Sequence, residues 1–351
     1  MMRFRSYGFL LGCLLLGASC THEDPVAQGC ITLTFGTGMA ETKASGGASD
    51  GGKIVVDGSG DPDLIIALVN SSDQIVAWYP HEFGTTGNTY TATHGSHTAS
   101  TDADESTITI SGPGKGTYTV YAVANSAAAG LTSVRTALAS ATTLTQLEAI
   151  TLSVAEGQPS YPSGMPLSAK GTLSVNASGS GQVDLSLLRV VAKVNLTFEN
   201  KTGNALALYE CTVTLKKMNP SQGYLFHRGI DMVTGFDRNL ILSGSVDSIG
   251  IANNGLTPLT AKLVFPSTAP TQAIGRRYLC DIRFKTAPEG EFYTFTDLPV
   301  HNSRSEDIPA IERNKSVNIR TTISKKVTDY EVSFNFEVLA WESITQSIEF
   351  N

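Results

Sequence analysis

The chain is short of cysteine, of positive charge and of helix-forming blocks, and each shortage excludes something. Five cysteines in 351 residues, none in a CxxC pair, rule out a dense disulfide framework and a thiolate zinc site. Lys and Arg number 25 against 32 Asp and Glu, a net charge of −7, so phosphate backbones are repelled and nucleic-acid binding by bulk charge is excluded. Long Ala/Leu/Glu/Lys stretches are nearly absent, which argues against a helical bundle. No nucleophile elbow sits between a strand and a helix, and the six histidines have no motif context for acid–base work. An enzyme is therefore not expected, and neither is a cofactor or a resident metal.

What is present points to β-structure. Ser, Thr and Gly are abundant, with 33 glycines, a profile of short strands joined by turns. The length suits two domains, and 41% hydrophobic residues supply apolar material for two ordinary cores.

Residues 1–20 read as a secretory signal. Arg3 and Arg5 give the positive start, and Tyr7 to Gly17 is an apolar stretch too short to span a bilayer as a lasting helix. Leu16-Gly17-Ala18-Ser19-Cys20 resembles the bacterial lipobox, whose Cys is diacylated and becomes the first mature residue; Gly17 stands where that motif carries Leu. Glu23 and Asp24 follow at once, similar to the acidic tag of Bacteroidetes lipoproteins exported to the outer face of the outer membrane. With Cys13 in the signal and Cys20 lipidated, Cys30, Cys211 and Cys280 remain. Three thiols so widely spaced allow at most one disulfide, and buried free thiols are the simpler expectation.

Along the chain, Ile31, Leu33 and Phe35 alternate as a half-buried first strand. Gly36 to Gly60 has few large apolar residues and is expected to be a loose connection. Leu64–Val69 and Ile75–Tyr79, separated by Asn70-Ser71-Ser72-Asp73-Gln74, predict a hairpin. Glu82 to Glu105 reads as a polar loop; Thr107–Ile110 and Thr117–Val123 read as strand, turn and strand. One stretch is helical: Leu131, Val134, Leu138, Leu144 and Leu147 recur at helical spacing, and Thr143 with Gln146 has capping-box spacing for a second short helix. Val183, Leu185 and Leu187 keep odd parity whereas Val190, Ala192, Val194, Leu196 and Phe198 keep even parity, so the inward face switches across Leu187-Leu188-Arg189.

The expected organisation is a signal at 1–20, a first strand and linker at 21–60, a sandwich at 61–181 and a second at 182–351. Strands are expected at Cys211–Leu215, Leu240–Leu242, Lys262–Phe265, Tyr278–Phe284, Phe292–Phe295 and Val317–Ile323. Tyr330, Val332, Phe334, Phe336, Val338 and Ala340 keep one parity, which returns in Ile344, Ile348 and Phe350. Such an alternating tail calls for a sheet to join.

Several site motifs fail on inspection. Asp57, Ser59, Asp61 and Asp63 are spaced like calcium ligands, but Pro62 and Leu68 stand where an EF-hand needs Gly and Glu. His94 and His97 lie in a Ser/Thr/Gly loop without a third ligand. Gly112 to Thr117 is a turn rather than a phosphate loop, because its Lys115 precedes Gly and the next element is a strand. Trp78, Tyr79, Phe83 and Tyr90 offer a stacking surface for a glycan, with core and hairpin packing as the competing reading.

Four strings together resemble the fimbrillin family of Bacteroidetes type V pilus subunits: Tyr118-Thr119-Val120-Tyr121-Ala122-Val123-Ala124-Asn125, Met165-Pro166-Leu167-Ser168, Arg189-Val190-Val191-Ala192-Lys193-Val194 and Glu312-Arg313-Asn314. The resemblance spans residues 20–351 in the family's order. It implies an all-β fold of two transthyretin-like β-sandwich domains, with a short helical insertion in the first, and a structural role in a surface-exposed fimbrium on the outer membrane. It also implies donor-strand exchange. A protease removes the first strand, here Ile31, Leu33 and Phe35, and the groove accepts the C-terminal strand of another subunit, here Ile344, Ile348 and Phe350. The implied partners are other pilus subunits, the outer membrane through lipid on Cys20, and a host protein or glycan. Stalk subunits of the family are cleaved after an Arg that follows the first strand, yet none occurs here between Arg5 and Arg135. Lys43 is the candidate processing residue. Retention of the strand would instead resemble the family's lipidated anchors. The alternative class is a surface lipoprotein that binds carbohydrate and never polymerises.

Overall fold

The computed structural model describes residues 30–36, 54–55, 63–79, 91–94, 102–103, 105–111, 114–226, 238–243, 248–259, 261–272, 275–302, 306–308, 310–326 and 329–340. The first half carries β1 (Cys30–Gly36), β2 (Ile54–Val55), β3 (Leu64–Val69), β4 (Ile75–Tyr79), β5 (Thr91–His94), β6 (Asp102–Ala103), β7 (Glu105–Ser111), β8 (Gly116–Ala124), α1 (Thr132–Ser140), α2 (Leu144–Glu148), β9 (Thr151–Ser153), β10 (Leu167–Val175), β11 (Gly181–Ser186) and β12 (Leu188–Arg189). There follow β13 (Ala192–Lys201), β14 (Leu206–Lys216), β15 (Gln222–Tyr224), β16 (Leu240–Ser243), β17 (Ser248–Ile251), β18 (Leu256–Pro258), β19 (Lys262–Val264), β20 (Ser267–Thr268), β21 (Thr271–Gln272) and β22 (Gly275–Arg276). The chain then runs through β23 (Leu279–Lys285), β24 (Tyr293–Pro299), β25 (His301–Asn302), β26 (Ala310–Ile311), β27 (Lys315–Lys326) and β28 (Asp329–Ala340). The all-β, two-sandwich expectation is met.

The first sandwich sets a sheet of order β11-β1-β7-β5 against one of order β12-β10-β8-β3-β4. Every residue of Leu64–Val69 is buried, as a continuous apolar run requires when both faces of a strand are covered. Val134 and Leu138 of α1 and Leu147 of α2 join that same core, so the amphipathic stretch packs onto it. Thr143 caps α2 in the expected box: its hydroxyl accepts from Gln146 N and the Gln146 side chain accepts from Thr143 N. The β3–β4 hairpin forms as read, its turn fastened by Asn70 Oδ1, which accepts from Ser72 N and Gln74 N.

The second sandwich sets β18-β13-β27-β28-β25 against β16-β14-β23-β24, with β19 on β13 and β17 on β14. β13 alternates perfectly between buried and half-buried positions as far as Asn200, the signature of one face on a core and one toward water. Cys211 and Cys280 are free thiols in this core.

Four expectations change. The two cores divide later than residue 181: β11 pairs with β1, Leu185, Leu187, Val190 and Val191 belong to the first core, and the second begins at Ala192. Glu82 to Glu105 is not wholly loop, since β5 lies within it and pairs with β7, and this puts His94 on a strand. Ladder bonds there come from the backbone, so a stretch of Thr and Ala forms a strand without an apolar face. The connection 36–60 includes β2, paired with β6. β7 and β8 form no hairpin but belong to opposite sheets, because strand-turn-strand patterning does not reveal a crossing between layers.

Candidate functional site

β1 occupies an interior place. Its residues pair antiparallel with β7, Ile31 opposite Ile110, Leu33 opposite Ile108 and Phe35 opposite Ser106. On its other edge they pair in parallel with β11, where Ile31, Leu33 and Phe35 meet Gly181, Val183 and Leu185. Among the described residues β11 is the edge of this sheet and β1 is its one ladder partner. The bed of β1 is thus a one-strand gap between an antiparallel and a parallel wall.

Three features hold the β11 wall. At its start a tight turn is fastened by Asn176, whose Oδ1 accepts from the amides of Ser178 and Ser180. Along its length Leu185 sits over Gly171 of β10, so close that a Cβ on Gly171 would meet Leu185 Cδ2 at 2.4 Å. Beyond its end, the segment 188–191 is pinned at successive groups. Arg313 Nη2 donates to Leu188 O at 3.1 Å and its Nε to Arg189 O at 3.2 Å; Val190 N donates to Pro166 O, and Asn314 N to Val191 O at 2.9 Å.

Arg313 comes from the second sandwich and is almost wholly buried. The guanidinium also donates to Ser168 Oγ at 2.8 Å and to Leu225 O at 3.1 Å. Burial lowers its pKa to about 10, so it remains a cation at neutral pH, solvated by protein oxygens instead of water. Asn314, at φ 55°, turns the chain so that its Oδ1 accepts from Arg189 Nη1 at 3.3 Å. The junction is reinforced by β15 pairing with β9 and by Leu225, Phe226 and Phe265, which join the first core.

Three of the strings that carried the resemblance therefore meet here, through Ser168, Arg189, Arg313 and Asn314. The fourth runs through β8, which pairs with β10, to the fully buried Asn125 just beyond the strand's end. Asn125 Oδ1 accepts from Val55 N and its Nδ2 donates to Met165 O, each at 2.8 Å. Periodicity offers no signal for any of this, because buried polar clasps break the apolar pattern that it reads.

At the other end of the chain, Val332, Phe334 and Phe336 of β28 face the core, whereas Val338 and Leu339 are 43% and 42% exposed. The apolar parity thus outruns the sandwich before Ala340. Cys20, Lys43, Ile344, Ile348 and Phe350 lie outside the described residues, as do Asp57, Ser59, Asp61, His97, Phe83 and Tyr90. Asp63 is bound up locally: its carboxylate accepts from the amides of Ala127 and Ala128 and stands 3.6 Å from Arg135. Trp78 is half-buried against the first core and Tyr79 is buried in it. Among the described residues no cluster of three or more His, Cys, Asp or Glu is set to hold a metal, and no helix is long and apolar enough to cross a membrane.

Residues 82–347 match the family described as fimbrillin-A associated anchor proteins Mfa1 and Mfa2. This chain belongs to that fimbrillin family. Solved structures share the fold of this fimbrillin-family protein at low identity. A putative cell adhesion protein from Parabacteroides distasonis aligns at TM-score 0.58 and 11% identity, covering 92% of this chain and 100% of the other. Another, from Bacteroides eggerthii, aligns at 0.53 and 16%, covering 90% and 96%. The fimbrilin FimA of Porphyromonas gingivalis aligns at 0.52 and 11%, covering 92% and 100%. No curated protein matches the sequence.

Proposed function

We propose that this fimbrillin-family protein is a structural subunit of a cell-surface fimbrium, exported as a lipoprotein through Cys20 and joined to its neighbours by strand donation. The observation that carries the reading is the place of β1, a strand near the N-terminus that fills an interior gap between β7 and β11. Its departure would strip ladder bonds from both walls, and an extended, alternating strand of another subunit is the natural replacement. At about 0.5–1.5 kcal/mol per ladder bond, a strand paired along both edges dissociates slowly, as a fibre that bears load requires.

Residues 341–351 are this subunit's donor in the proposal, with Ile344, Ile348 and Phe350 continuing the parity of β28. The lack of Arg between Arg5 and Arg135 favours the anchor position, in which β1 stays and the lipid holds the fimbrial base. Processing near Lys43 would instead make it a stalk subunit. Other pilus subunits are its partners, and the outer membrane holds it through the lipid.

N-terminal mapping of sheared and membrane-held material, with SDS-resistant ladders scored in parallel, tests the reading. Lipidated Cys20 in ladder-bearing membrane material is the expected result. A start beyond residue 36 in sheared ladders would move the protein to the stalk. An intact monomer without ladders under expressing conditions would overturn the fimbrial reading in favour of a non-polymerising, carbohydrate-binding lipoprotein.

A further inference from the structure

The geometry points to Arg313 as a positioning residue for the bed of β1, so that the second sandwich sets the wall against which a strand is held in the first. The inference rests on the strand-donation reading for its biological meaning, but its physical basis is independent of it.

An edge strand whose one ladder partner is β1 has its backbone fixed on the other side by packing and by its ends rather than by a second ladder. β11 is such a strand, and Gln182, Asp184 and Ser186 on its outer side are exposed. What else holds it is the burial of Leu185 and Leu187 in the first core, with Leu185 seated on Gly171, the Asn176 turn at the start, and the anchorage beyond the end. That last anchorage is chiefly borrowed: of the groups that pin 188–191, the Leu188 and Arg189 carbonyls are held by Arg313 and the Val191 carbonyl by Asn314. Leu188 is two residues past the end of β11 and pairs, with Arg189, to Ser168 and Leu167 of β10. Arg313 Nη2 reaches both Leu188 O and Ser168 Oγ, fastening this short β12 to β10 from outside the sheet.

Moving those carbonyls would shift β11 relative to β10, lift Leu185 from the Gly171 notch and spoil the parallel register with β1. A planar fork with several donors reaches all these oxygens at once, and a single ammonium does not. The clasp therefore acts on β1 through β11, without touching β1 itself.

Residue-resolved hydrogen exchange on the full chain tests this. Arg313→Gln is expected to speed exchange of the amides at 31–36 and 181–186 about tenfold or more, the loss of a charged hydrogen-bond donor to buried carbonyls. Arg238→Gln, at a half-buried junction arginine, serves as the control. Arg238 also crosses the junction, donating to the carbonyls of Val154 and Gly157, but it does not hold β11. It should leave exchange at those amides unchanged. Equal acceleration by both variants, or none by Arg313→Gln, would overturn the inference. If Arg313→Gln does not fold, Ser168→Ala removes one acceptor of the guanidinium and must show the same selective pattern at smaller size, or the inference fails. Failure of strand donation would appear separately, as missing ladders from a wild-type chain whose β11 amides are nonetheless protected.

Discussion

Leu33 stands in parallel register with Val183, so the first described strand is bedded against the last long strand of its sandwich. Parallel neighbours need a long crossover between them, and here the crossover is the whole first domain. That arrangement closes the sandwich with a strand that precedes, in the sequence, every other described element of it.

The β11 wall depends on a small residue beneath it. Gly171→Ala places a methyl 2.4 Å from Leu185 Cδ2, and overpacking of this kind costs about 1–3 kcal/mol. Urea titration should show that loss, with hydrogen exchange rising first in 181–186. An unchanged midpoint would mean that Leu185 does not depend on the notch.

Asn125 is a second point of failure. It is fully buried, sits at φ 62° and bridges Val55 N to Met165 O. Asn125→Ala strands both groups and places an Ala in the left-handed region, so a loss of about 2–4 kcal/mol is expected. Chemical denaturation measures it; a loss under 1 kcal/mol would contradict the bridge's importance.

The second core protects its thiols. Burial pushes the Cys211 thiol from 9.0 to about 12, and burial, followed by the Asp281 charge, raises Cys280 as well. Both groups are thus held protonated in the fold. Their contribution to stability is fully present below pH 9 and is lost as pH rises from about 9 toward 12. Stability should fall over that window, less steeply in Cys211→Ala. A thiol reagent at pH 8, with labelled sites mapped by mass, should leave Cys211 and Cys280 unmodified until denaturant is added; rapid labelling of the folded chain would contradict this.

The proposed membrane attachment through Cys20 has its own test. Cys20→Ala should abolish palmitate incorporation and release the protein from the membrane fraction. Retention without label would mean that another feature anchors it.

Alternation made individual strands legible, because Val194, Leu196 and Phe198, or Val332, Phe334 and Phe336, must share a face to reach a core. The capping box of Thr143 and Gln146 was legible for the same local reason. Partners were not: nothing in Ile31, Leu33 and Phe35 says that Val183 lies beside them, since alternation specifies a face and leaves the neighbour to long-range topology. The parity switch at Leu187-Leu188-Arg189 fits a bulge or a crossing between domains, and the cores divide a little later, after Val191, because Val190 and Val191 still pack into the first core. Arg313 belongs to a string that carries the resemblance, but nothing in the sequence marks it as buried. Its burial became evident only with the carbonyls of Leu188, Arg189 and Leu225 around it.

The central claim is that one subunit donates residues 341–351 to another. The most direct measurement is the SDS-resistant ladder of cells carrying the chain with 341–351 deleted, beside wild type, with the fold of the deleted protein checked by circular dichroism. The account predicts a folded, membrane-held protein that has left the ladders. A folded deletion variant that still enters them would contradict strand donation by this tail.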